Sequence, residues 1–97
     1  MTRAEAIARL KASETKFKAA GVTHLYLFGS TLRDEARADS DVDLFFDFER
    51  EDFGFYDLMD VKELATEILG AKTDMIPRDG LHRVLRKRIE ASALQVF

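Results

Sequence analysis

Leu27-Phe28-Gly29-Ser30-Thr31-Leu32-Arg33-Asp34-Glu35-Ala36-Arg37-Ala38-Asp39-Ser40-Asp41-Val42-Asp43-Leu44 is the stretch around which the chain organises. Its first residues continue a β-rich run, Thr23-His24-Leu25-Tyr26-Leu27-Phe28, that stops at Gly29-Ser30. Its last residues open a second run, Val42-Asp43-Leu44-Phe45-Phe46-Asp47-Phe48. Side chains alternate along a strand, so Asp41 and Asp43 point the same way, with Cα atoms about 6.5–7 Å apart. Val42 and Leu44 then face a core. Two carboxylates side by side repel unless positive charge lies between them. Divalent metal resolves that conflict, and two ions about 3.5–4 Å apart suit in-line phosphoryl or nucleotidyl transfer. Oxygen ligands without cysteine favour Mg²⁺ or Mn²⁺ over zinc. Gly29 permits close backbone approach to a phosphate, the amides and the Ser30 hydroxyl can donate to it, and Arg33 can clamp it bidentately.

Outward from this stretch, the pattern predicts a small mixed sheet with helices packed on it, an α/β (α+β) class. Thr2 and Glu5 form a capping box ahead of an amphipathic helix over 3–20, ended by Gly21. The 23–28 strand is apolar on both faces, which predicts a central position. Residues 31–40 can hold a short helix. A helix is expected over 55–69, closed by Gly70, and a strand over 73–76, stopped by Pro77. A basic helix over 81–91 and an edge strand over 93–97 complete the order. Asp74 is a third acid within an apolar strand. If that strand lies beside the second, Asp74 can join the pair, bind metal and help deprotonate an attacking hydroxyl.

Composition sets the limits. Ninety-seven residues, 46% apolar and 34% charged, predict one soluble domain spanning 1–97. The absence of cysteine excludes disulfides and thiolate metal sites. No apolar run reaches membrane-span length, and the start carries no secretory pattern, so a cytoplasmic protein is expected. Residues 34–67 hold 13 of the 18 acids and only Arg37, Arg50 and Lys62 as bases, while 78–88 are Arg-rich. An acidic middle repels a phosphate backbone and argues against a nucleic-acid partner. Most of these acids read as a solvated face. Phe45, Phe46, Phe48, Phe53 and Phe55 read mostly as core, with Phe53-Gly54-Phe55 a candidate exposed patch for a protein partner. His24 and His82 lack metal-ligand spacing, and Tyr26 and Tyr56 read as packing residues.

With these residues in view, the sequence resembles the nucleotidyltransferase (polymerase beta) superfamily, and within it the minimal nucleotidyltransferase (MNT) antitoxins. The Gly-Ser turn, the ten-residue gap, Asp41-Val42-Asp43 and the later Lys72-Thr73-Asp74-Met75-Ile76 match. Arg33 and Ser40 fit positions where that group usually carries Arg and Ser. The resemblance covers nearly the whole chain. It implies the nucleotidyltransferase fold and transfer of AMP from ATP to a hydroxyl. The partner it implies is a HEPN-domain ribonuclease toxin, modified on a tyrosine and also bound. By the same likeness Asp41, Asp43 and Asp74 are the catalytic and metal-binding set, and Gly29, Ser30 and Arg33 hold the nucleotide. Leu32 and Asp34 depart from the pattern, which has a small residue and a glycine there. A non-glycine restricts positive φ, and the added charge is expected to weaken phosphate binding. The alternative function is a non-catalytic antitoxin that acts by occlusion. Transfer to a small molecule ranks below both, since so short a chain has little room for an acceptor site of its own.

Overall fold

The computed structural model describes residues 1–97. Four strands, β1 (His24–Phe28), β2 (Val42–Asp47), β3 (Thr73–Pro77) and β4 (Leu94–Gln95), form one sheet in the order β3-β2-β1-β4. β1 runs antiparallel to β2 and β4, while β2 and β3 run parallel, so the sheet is mixed and β1 is central. The helices are α1 (Arg3–Ala12), α2 (Glu14–Ala19), α3 (Gly29–Leu32), α4 (Phe55–Leu69) and α5 (Arg86–Ser92). None is long and apolar enough to cross a membrane.

Strand alternation sorts the sheet into two faces. Leu25, Leu27, Val42, Leu44, Phe46 and Met75 join Ala6, Leu10 and Phe17 of the first two helices and Val61, Ala65 and Leu69 of α4 in one buried core. The helical apolar residues recur three and four apart, which gives each helix a stripe for this face. The opposite face carries Tyr26, Phe28, Asp43, Phe45, Asp47 and Asp74 in cross-strand register. Phe45 is only 1% exposed there, stacked on Tyr26 with ring centroids 4.6 Å apart.

Arg78 seals Phe45. Its guanidinium carbon lies 4.7 Å from the Tyr26 ring centroid and 5.1 Å from that of Phe45. It donates to both Asp47 carboxylate oxygens, at 2.7 and 3.0 Å, and to Glu90 at 2.7 Å. Those bonds hold it protonated more firmly than a free arginine. No α5 side chain is buried, so this ion network, rather than an apolar stripe, ties α5 to the sheet. Arg78→Ala should therefore lower stability by about 2–4 kcal/mol, below the cost of breaking a fully buried pair because these groups are partly wet. Thermal melting should show a drop of at least ~10 °C. Asp79→Ala, which removes only an exposed contact to Arg86, should melt like wild type.

Several boundaries differ from the sequence expectation. The 3–20 helix is two helices, broken where Ser13 leaves helical geometry (φ −109°, ψ 15°). The 81–91 helix begins only at Arg86. His82 Nδ1 accepts the Val84 backbone N–H at 3.3 Å, a local bond that competes with helix initiation, and Val84 is 80% exposed. Gly29-Ser30 is the first turn of α3 rather than a simple turn. The last strand is short, Leu94–Gln95 at the expected edge, although the Val96 N–H still donates to the Leu25 carbonyl at 2.7 Å and the Phe97 carbonyl accepts the Leu25 N–H at 3.2 Å. β3 extends through Pro77, whose missing N–H is tolerated at an edge. The 55–69 helix has the expected bounds.

Candidate active site

Asp43 stands at the centre of the three acids. In the sheet register it lies opposite Phe28 on β1 and opposite Asp74 on β3. Asp41 sits just before β2, where the Val42 N–H donates to the Lys72 carbonyl at 2.9 Å and locks the entrances of β2 and β3 together. Parallel pairing thus brings Asp74 beside the Asp41–Asp43 pair. Asp41 and Asp43 are half-buried and Asp74 is exposed.

The electrostatics follow from this crowding. Burial, then the Asp74 and Asp41 charges, push the Asp43 carboxyl above its usual value of 3.8, and Arg33 pulls the other way. Gly29 has φ +78°, in the left-handed region that favours glycine. A Cβ at Gly29 would collide with Asp43 Oδ2. The backbone of α3 therefore closes directly on the carboxylate, with no side chain between them. No group of three His, Cys, Asp or Glu side chains is gathered tightly enough to hold a metal by itself. A hard cation does not need that. Mg²⁺ is commonly held by one or two carboxylates, with substrate phosphates and water completing its shell. An all-oxygen donor set with one carboxyl already driven toward protonation by its neighbours fits such an ion.

Arg33 is exposed and donates to Glu35 Oε2 at 3.1 Å. Ser30 opens α3 beside Gly29. Ser40 has a structural part, since its hydroxyl accepts the Arg37 N–H at 2.9 Å and shapes the loop into β2. Asp34 does take positive φ, +55°, which aspartate tolerates better than most residues. Its Oδ1 accepts the Arg3 N–H at 2.7 Å, so its charge caps the first turn of α1. Leu32 packs against the core. Both departures from the expected pattern thus have structural tasks, Leu32 in the core and Asp34 at the start of α1.

A feature not anticipated from sequence lies beyond Asp74. A polar groove of about 430 Å³ is lined by Asp41, Lys62, Thr66, Lys72, Thr73 and Asp74. The spacing of Lys72 and Asp74, two apart across the start of β3, was the available sign that they lie together. The approach of α4 was not readable.

The nucleotidyltransferase domain model matches residues 9–96. The chain belongs to that family, and to its minimal, MNT-type branch. It is 33% identical over 77 residues to a candidate protein adenylyltransferase of Methanocaldococcus jannaschii, a match covering 79% of this chain and 82% of that one. A solved structure of a candidate minimal nucleotidyltransferase superposes with a TM-score of 0.83 at 32% identity, covering 97% of this chain and 95% of that one. A toxin–antitoxin crystal structure with AMP-PNP shares the fold at a TM-score of 0.71 and 16% identity, covering 90% and 72%. The chain is a nucleotidyltransferase, and its small mixed sheet with packed helices is the family fold.

Proposed function

We propose that this single minimal domain is a metal-dependent antitoxin of the cytoplasm. It moves AMP from ATP to a tyrosine hydroxyl of a HEPN-domain ribonuclease toxin and so neutralises it. The observation that carries the reading is the cross-strand set: Asp74 in register with Asp43, Asp41 two residues before it, and the Gly29 backbone closed on Asp43. Similarity to a relative named as a protein adenylyltransferase supports protein as the acceptor. The shared fold with a toxin–antitoxin structure containing AMP-PNP supports both ATP and a toxin partner.

Each residue then has a task. Gly29 and Ser30 receive the triphosphate on backbone N–H groups and the Ser30 hydroxyl, and Arg33 adds a cationic clamp. Asp41, Asp43 and Asp74 hold Mg²⁺ or Mn²⁺, which when bound neutralises charge on the reacting phosphate and the leaving group. Asp74 Oδ takes the proton of the acceptor hydroxyl. The acceptor oxygen bonds to the α-phosphorus, the α–β P–O bond breaks, and pyrophosphate leaves with that electron pair.

Occlusion without catalysis drew its support from Leu32 and Asp34, and both have structural tasks, Leu32 in the core and Asp34 at α1. The discriminating experiment is rescue of cells expressing the toxin encoded beside this gene. Wild type should rescue, and Asp41→Ala should not, although it still co-purifies with the toxin. Full rescue by Asp41→Ala would establish occlusion instead.

A further inference from the structure

We propose that the groove beyond Asp74 receives an anionic side chain of the acceptor protein, a carboxylate lying close to the hydroxyl that is modified. The inference rests on the transfer reading above and names what the acceptor must carry. The groove has room for a ligand group, and none of its six lining residues is apolar. Lys62 and Lys72 line it, and neither forms an ion pair within the chain, unlike Arg33, Arg50, Arg78 and Arg86. The Thr66 hydroxyl donates to the Lys62 carbonyl at 2.9 Å, and the Thr73 hydroxyl to that of Ala71 at 3.1 Å. Their protons are engaged, so the two ammonium groups are the donors left to meet an anion.

Position assigns that anion to the acceptor. Sheet order β3-β2-β1 places the Gly29-Ser30 backbone on one side of Asp43 and the lysine groove on the other, beyond Asp74. Donor phosphates belong to the Gly29-Ser30 side. The hydroxyl that gives its proton to Asp74 arrives from the groove side, and the groups flanking it cross Lys62 and Lys72. With Asp41 and Asp74, which line the same groove, taken up by the cation, the two lysines select an acidic neighbour there and disfavour a basic one.

The test uses the full chain, labelled ATP, Mg²⁺ and the toxin encoded beside it, with toxin affinity measured in parallel. Lys62→Ser/Lys72→Ser should raise the KM for toxin and its Kd about tenfold, leaving kcat and the KM for ATP within about twofold. Lys72→Arg should stay near wild type, and melting curves confirm folding. Unchanged toxin KM and Kd would overturn the proposal. So would a rise confined to the KM for ATP, which would assign the groove to donor phosphates. If wild type transfers no label, the transfer reading fails by itself, and the toxin Kd of the double variant still decides whether the groove binds the partner.

Discussion

Asp43→Asn should reduce AMP transfer by at least about a thousandfold, the scale expected when a central charge at the reacting phosphate is removed. The same change should make the metal-free protein more stable. The Asp43 carboxyl is raised by burial and by Asp74 and Asp41, so the folded chain holds its proton more tightly than the unfolded chain does. Stability of the metal-free protein therefore falls as pH rises from the ordinary value of 3.8 through the raised one, then levels off. Asparagine keeps the shape and removes the charge. With a chelator at pH 7, Asp43→Asn should melt higher, by an amount in the ~0.5–2 kcal/mol range common when strain at a functional site is relieved. Below the ordinary carboxylate value the difference should disappear. Equal melting at pH 7 would mean that neither burial nor the neighbouring carboxylates penalise the Asp43 charge in the folded protein. On the proposed reading, that excess charge would be a stability cost offset when a cation binds.

Gly29→Ala should also cut transfer, by a different route. Alanine at φ +78° costs roughly 1–2 kcal/mol, and its Cβ collides with Asp43 Oδ2. Either α3 or the carboxylate must shift. Displacement by an ångström of a group that aligns reacting atoms costs about a hundredfold in rate. The expected result is a folded protein, melting several degrees lower, with kcat/KM for transfer down at least ~100-fold. Gly70→Ala is the control. It has similar φ, +64°, but nothing within 4 Å of the added Cβ, so it should lose stability and keep its rate. Equal activity loss in both would point to general destabilisation.

How much of this was legible in sequence depends on the scale of the interaction. Strand alternation is local, so the burial of Val42 and Leu44 could be read directly, whereas Asp41 lies just before β2 rather than in it. Helix α4 was readable because its apolar residues keep one period from Phe55 to Leu69 and Gly70 ends it. The pairing of Asp43 with Asp74 could be stated only conditionally, because register between parallel strands is set by the α4 crossover and by core packing. Leu81, Val84 and Leu85 misled because they mimic a helical stripe, yet Val84 and Leu85 are exposed and α5 is held by Arg78, Arg86 and Glu90. Asp34 misled in the opposite sense. A charge near the phosphate turn reads as a defect until its long-range bond to the Arg3 N–H is seen. The lysine groove is lined by residues ten positions apart, one on α4 and one just before β3, a proximity that no local period encodes. Of the aromatic patch, Phe53 packs against Phe48 and the core, while Phe55 and Tyr56 are 68% and 83% exposed.

The central claim is that these carboxylates transfer AMP to a protein partner. Intact-mass spectrometry of the neighbouring toxin, purified after co-expression with wild type or with Asp43→Asn, tests it most directly. The account requires one or more AMP additions on a tyrosine of the toxin with wild type, and none with the variant. An unmodified toxin in a stable, inhibitory complex with the wild-type protein would contradict it.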